Sequence, residues 1–259
     1  MAANEPGQPT PVMPGSATPT TTDLATPTSA LAIGAHPDDV EFGCGGLLAK
    51  WAADGCTIHH LVCTDGSKGT WDPDADVVAL AARRQTEQRE AARRLAGQHA
   101  GEVRFLGRVD GELDSDLVTR SEVARTIREL RPQVVLGHDP WKRYRLHPDH
   151  RHAGFLACDG VVAARDPHFF RDHGLAHHRP EALLLWEADQ PDHAEDVSDF
   201  VDVKLRALAA HESQFESTMK ASDEAQMAAF EQRVRNRLGD LGRPFDIDAA
   251  EVFKLIADL

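Results

Sequence analysis

Two short segments concentrate the side chains able to do chemistry: Ala35-His36-Pro37-Asp38-Asp39-Val40-Glu41 and His147-Pro148-Asp149-His150. In the first, an imidazole and a carboxylate three residues apart sit on a turn stiffened by proline, so His36 and Asp39 can face one point. In the second, proline suits the first turn of a helix, which puts His147 and His150 one turn apart on the same side. Asp149 lies where a helix dipole favours an acid. Zinc takes such nitrogen and oxygen ligands, and a catalytic zinc uses three of them while leaving a position for water. The two segments together supply His36, Asp39 and His150 as zinc ligands. Asp38 is left as a free carboxylate and His147 as a free imidazole. Amide hydrolysis needs that surplus: water with its pKa lowered toward about 7, a carboxylate to take its proton, and a protonated imidazole to steady the oxyanion or protonate the leaving amine.

The elements that must position these groups alternate along the chain. Apolar runs at Ser29 to Ala35, Thr57 to Thr64, Val103 to Leu106, Gln133 to Gly137 and Ala182 to Trp186 read as strands. Between them, Leu47 to Ala53, Val78 to Leu95, Val118 to Leu130 and His150 to Arg165 read as helices, the last apolar nearly all round and therefore expected to be buried. A glycine-rich turn is expected at Gly43 to Gly46, and two helices, about 200–214 and 222–239, close the chain. Strands alternating with helices imply βαβ units, so the expected fold is α/β, a Rossmann-like three-layer arrangement with a mostly parallel sheet flanked by helices. Ligands in such folds sit at the carboxyl ends of the strands. Both histidine-rich and acid-rich segments follow strands and should meet there.

Composition narrows the partners. The 259 residues, 41% hydrophobic, suffice for one full-sized core, and the formal net charge is −14 with no lysine- or arginine-rich tract. Phosphate binding depends on clustered cations, so neither nucleic acid nor an anionic membrane is an expected partner. No apolar run approaches the ~20 residues of a membrane span. The four cysteines, Cys44, Cys56, Cys63 and Cys158, include no CxxC pair and suggest reduced thiols in a cytoplasmic setting. Residues 1–27, rich in Pro, Thr and Ala, are expected to form a disordered arm ahead of a single domain over 28–259.

The sequence AHPDDVE followed by GCGG, then HPDHR about 110 residues later, resembles the paired signatures of the PIG-L (LmbE-like) family of zinc-dependent N-deacetylases. Thr64-Asp65-Gly66-Ser67-Lys68-Gly69 is similar to the family's TxGxxG loop, and Arg84, Glu87 and the segment Leu106 to Leu113 match further positions of its pattern. The resemblance implies His36, Asp39 and His150 as ligands of zinc, with ferrous iron as an alternative metal. It implies Asp38 as general base, His147 at the oxyanion, Asp149 as the residue orienting His147, and Arg84 and Asp110 as substrate-binding residues that grip sugar hydroxyls. The implied substrate is a small sugar amide, an N-acyl, chiefly N-acetyl, glucosamine conjugate. A thiol-conjugate amidase of the mycothiol type, or a non-catalytic sugar- or metal-binding protein on the same fold, is the alternative, and a homo-oligomer is compatible with the family. Some members carry a tyrosine two residues before HPDH. Arg145 stands there in this chain, with Tyr144 one residue further away. Read from the residues alone, Arg84 also fits an ion pair with Glu87 or Glu90, Trp186 fits either sugar stacking or the core, and the segment His211-Glu212-Ser213-Gln214 has no assigned role.

Overall fold

Successive side chains of β2 (Ser29–Gly34) point to opposite faces of the sheet, and both faces are apolar. Ala30 and Ala32 enter one core while Leu31 and Ile33 enter another. The computed structural model describes residues 21–259. The first core is closed by α1 (Asp39–Ala53), α5 (Val201–Leu208) and α6 (Glu224–Gly242), through residues such as Trp51, Leu205 and Phe230. The second is closed by α3 (Leu117–Leu130) and α4 (Pro148–Arg165), through Val123, Ile127, Leu156 and Val161. The result is the expected three-layer α/β fold.

Among the described residues the sheet has eight strands; from one edge these are β1 (Thr21–Thr22), β7 (His193–Asp196), β8 (Ala250–Ala257) and then five parallel strands ending with β2 and its two outer neighbours. Its parallel heart is β4 (Ala100–Arg108), β3 (Thr57–Thr64), β2, β5 (Val134–His138) and β6 (Ala182–Trp186). The chain moves outward from β2 to β3 and β4, with α2 (Val77–Ala96) crossing over between them, then returns to the other side of β2 for β5 and β6. The strand order therefore reverses between β2 and β5. At such a switch point the connections leave in opposite directions and open a crevice at the carboxyl ends of the strands. The two chemistry-bearing segments follow these two strands.

Three elements differ from expectation. The residues read as a glycine-rich turn are inside α1, which starts at Asp39 and is kinked at Cys44. The glycines serve close packing instead. A Cβ on Gly43 would lie 2.7 Å from the Trp186 indole, and one on Gly46 would lie 2.9 Å from Val197. Past the kink, Glu251 accepts the freed amides of Gly46 and Leu47 at 2.9 and 2.8 Å, and Lys204 neutralises it at 2.7 Å. Glu251 belongs to the second difference, β8 (Ala250–Ala257), which runs antiparallel between β6 and β7 (His193–Asp196) at the end of the chain. Third, the helix expected over 200–214 ends at Leu208 and continues as tight turns through Met219. Of the arm expected over 1–27, residues 1–20 lie outside the described residues. Thr21 and Thr22 form β1, parallel to β7, and the Leu24 amide donates to buried Glu195 at 3.0 Å. Among the described residues, no helix is long and apolar enough to cross a membrane, and all four cysteines are free thiols.

Candidate active site

After β2 the chain turns sharply through Ala35 to Asp39. Thr64, at the end of β3, donates both its amide and its hydroxyl to the Ala35 carbonyl at 2.8 Å. The His36 amide donates to Asp39 Oδ2 at 2.7 Å, closing the turn and aiming the carboxylate back over the imidazole. Asp38 sits at φ 101°, a left-handed conformation that costs a non-glycine residue about 1–2 kcal/mol. Two residues of α2 hold it there. Gln88 Oε1 accepts the Asp38 amide at 2.9 Å, and Arg84 donates to the Pro37 and Gly66 carbonyls and reaches Asp38 Oδ2 at 3.3 Å. Behind Gln88 a buried relay continues through Glu41 to His211, with Gln88 Nε2 donating to Glu41 Oε1 at 2.7 Å and His211 Nε2 lying 3.3 Å from Glu41 Oε2. The HESQ segment thus enters the site's support. His211 braces Glu41, and Ser213 donates its amide and hydroxyl to Glu87 on α2.

The second segment opens α4. Pro148 occupies its first turn, and His147 and His150 stack with ring centroids 4.9 Å apart. Asp149 points elsewhere. Fully buried, it accepts the amides of Gly111 and Leu113 at 2.6 and 3.2 Å, and its Oδ2 lies 3.1 Å from His36 Nε2. Its partner is therefore His36 rather than His147. Asp110 approaches the same His36 nitrogen at 3.3 Å.

His36, Asp39 and His150 converge. His36 Nδ1 is 3.2 Å from His150 Nε2 and 3.3 Å from the nearer Asp39 oxygen, and His150 Nε2 is 3.4 Å from the other Asp39 oxygen. Four-coordinate zinc with ligands at 2.0–2.1 Å requires donors about 3.3 Å apart, so the side chains already stand at ligand spacing. The chemistry fits as well. Asp149 and Asp110 accept from the Nε2–H of His36, leaving Nδ1 to present a lone pair to a metal, the carboxylate–histidine arrangement that raises ligand basicity. Burial opposes charge on His36, but the carboxylates of Asp110, Asp149 and Asp39 outweigh it and raise its pKa well above the ordinary histidine value. Burial pushes His150 the other way, down to about 4, so that imidazole is neutral, as a ligand must be. Burial also tends to raise Asp39, but His150, His138 and His36 hold it well below the usual carboxylate range. Asp38, next door, is pushed up to about 6 by burial, against the pull of Arg84.

Other expected residues fall in varied places. Arg84 is buried and bound to the Asp38 turn, and the helix-surface ion pair considered for it belongs to Arg83, which meets Glu87 at 2.8 Å. Tyr144 is exposed, at 94% of its full accessibility. Its neighbour Arg145 turns inward and donates to His150 Nδ1 and Glu187. Lys142 and Arg143 are spent on the Ala188 carbonyl and Asp189. His138 carried no assignment in the sequence. It ends β5, fully buried, with Nε2 3.2 Å from Asp39 Oδ2 and its ring stacked on His150 at 4.4 Å. The available signal was positional: it is the last residue of the strand beside the switch point.

Three side chains at ligand spacing, two of them buried, with an adjacent carboxylate at the switch point of a parallel sheet, make a candidate metal centre. Comparison with known proteins gives it a family. The family model described as GlcNAc-PI de-N-acetylase (PIG-L) matches residues 31–160. Diacetylchitobiose deacetylase of Thermococcus kodakarensis is 40% identical over 188 residues, covering 71% of this chain and 69% of that one. A 1D-myo-inositol 2-acetamido-2-deoxy-alpha-D-glucopyranoside deacetylase of Rhodococcus opacus is 34% identical over 180 residues, covering 61% of this chain and 58% of that one. Among solved structures, N,N'-diacetylchitobiose deacetylase from Pyrococcus horikoshii superposes with a TM-score of 0.80 at 29% identity, over 89% of this chain and 84% of that chain. The chain belongs to the PIG-L family.

Proposed function

We propose that this protein is a metal-dependent N-deacetylase that removes the acetyl group from a glucosamine-type sugar conjugate. The observation that carries the reading is the convergence of His36, Asp39 and His150 at ligand spacing, with Asp38 beside them and outside the donor set. The deacetylase relatives, whose named substrates are N-acetylated glucosamine derivatives, support the same bond and sugar. The mixed nitrogen and oxygen donors suit zinc first, with ferrous iron acceptable. A cation held there would lower the pKa of water toward about 7 and polarise the acyl carbonyl.

The chain's own groups do the rest. Asp38 takes a proton from the attacking water, and a carboxylate with a pKa near 6 is a better base near neutrality than an unperturbed one. The water oxygen adds to the acyl carbon, the carbon–nitrogen bond breaks, and the proton returns to the leaving nitrogen, giving free amine and acetate. Partial burial pushes His147 below its ordinary value. Its ring N–H meets the oxygen on which charge develops. Arg84 and Asp110, which stand beside Asp38 and His36, are assigned to the sugar hydroxyls.

The test is Asp38→Asn, assayed by amine release from N,N'-diacetylchitobiose with the metal content measured in parallel. Removing a general base costs about 10²- to 10⁴-fold in rate, and the bound metal should stay. Full activity in the variant would contradict the role of Asp38, and loss of metal along with activity would make Asp38 a ligand.

A further inference from the structure

Two donor sets compete around Asp39. His138 Nε2 stands as close to Asp39 as His36 and His150 do, so Asp39, His138 and His150 form a second candidate metal trio. Hydrogen bonding at the far side of the His138 ring decides between them. Trp186, the register partner of His138 across β5 and β6, donates its indole Nε1–H to His138 Nδ1 at 3.0 Å. An indole nitrogen only donates, so Nδ1 must carry a lone pair. A neutral imidazole then bears its proton on Nε2, and that nitrogen faces Asp39 Oδ2 at 3.2 Å. The Ala35 amide lies farther from the same nitrogen, at 3.5 Å. Turning the ring over would place carbons against both the indole and the carboxylate.

We infer that Trp186 locks His138 as an Nε2–H donor to Asp39, which makes His138 a positioning residue for the carboxylate and not a metal ligand. The inference rests on the ligand set proposed above and deepens it. His150 presents a superficially similar case, because Arg145 donates to its Nδ1. The difference is freedom to retract. Arg145 is a long side chain on the Asp139–His147 loop with Glu187 as a second partner, whereas Trp186 is 1% exposed and pressed against the backbone of α1 at Gly43. The indole cannot leave Nδ1 without moving the helix that carries Asp39. Asp39 is thus held at three points: by the His36 amide on Oδ2, by His138 on the same oxygen, and by α1 itself. One carboxylate oxygen is spent on orientation, while Oδ1 faces His150.

The lock is testable without metal or substrate. In the metal-free protein, ¹⁵N resonances of His138 should show Nε2 protonated and Nδ1 unprotonated, and Trp186→Phe, which keeps the ring and removes the N–H, should abolish that preference. A proton on Nδ1 in the parent protein would overturn the inference. Zinc affinity gives the second reading. His138→Gln, which retains an N–H able to reach Asp39, should bind zinc at least 10-fold more tightly than His138→Leu, within the 10- to 100-fold range typical of groups that orient a ligand. Equal losses in the two variants, or direct coupling of ¹¹³Cd to His138 Nε2, would make His138 a ligand and overturn the proposal. A parent protein that takes up no metal would instead refute the proposed function, a result distinguishable because the tautomer is read without metal.

Discussion

Gly154 offers a perturbation remote from the chemistry whose effect follows from distances alone. It lies one turn after His150 on α4, on the stripe that includes His147, and the helix rests there against the end of β5. A Cβ at Gly154 would lie 2.6 Å from the His138 carbonyl oxygen and 2.9 Å from the Pro140 nitrogen, against 3.4 Å for ordinary contact, a shortfall of about 0.8 Å. Both obstacles are backbone, so the helix must move. His150 moves with it, away from His36 and Asp39, which are anchored on the other strand. Displacing a reacting or ligand group by about 1 Å costs on the order of 10²-fold. Gly154→Ala should therefore lower turnover and zinc affinity by about 10- to 100-fold. Stability should change less, because overpacking costs about 1–3 kcal/mol while alanine returns about 1 kcal/mol of helix propensity. The control is Gly239→Ala in α6, where the nearest atom to the new Cβ is 3.4 Å away. That variant should melt slightly higher with unchanged activity. Amine release, zinc titration and thermal melting of both variants decide the matter. A Gly154→Ala protein that is more stable and fully active would refute the claim that helix packing sets the position of His150.

Three further outcomes follow from the same site. Asp38 is ionised at neutral pH against its environment: its folded pKa of about 6 exceeds the unfolded value, so it destabilises the protein above that range and the penalty disappears as pH falls below it. Asp38→Asn should thus raise the melting temperature of the metal-free protein at pH 7.5 and much less at pH 4, and an equal or opposite change at the two pH values would contradict the assignment. Because the base works only when ionised, kcat/KM should fall as pH drops through about 6, with a bound cation shifting that limb lower. An acid limb above pH 7 that vanishes in no Asp38 variant would point to another base. Gln88→Leu strands the Asp38 amide and one oxygen of Glu41, each worth about 1–3 kcal/mol when buried without a partner. The melting temperature should fall together with kcat, whereas a loss of stability with kcat intact would show that Gln88 supports the fold and not the Asp38 turn.

The central parallel strands were legible because β2, β5 and β6 are largely apolar runs buried on both faces, and β3 ends in the apolar stretch Leu61 to Cys63. The paired histidine–aspartate segments were legible because both follow those strands. β7 and β8 were not. His193-Ala194-Glu195-Asp196 is too short and polar to signal a strand, and becomes one because Lys50 and the Leu24 amide satisfy buried Glu195. Glu251 likewise reads as a surface residue until its partners on α1 and Lys204 are known. The GCGG run was misread because glycine signals a turn locally, whereas here it admits Trp186 and Val197 against a helix. His138 escaped notice for a related reason. One histidine at a strand end says little until the indole across the sheet fixes which of its nitrogens bears the proton.

Zinc titration of metal-stripped protein, followed by amine release from N,N'-diacetylchitobiose, tests the central claim most directly. Activity should be absent without metal, rise with zinc and level off at one ion per chain, and be lost with the ion in His36→Ala and His150→Ala. Amine release that is unchanged by stripping, or that survives both substitutions, would contradict the account.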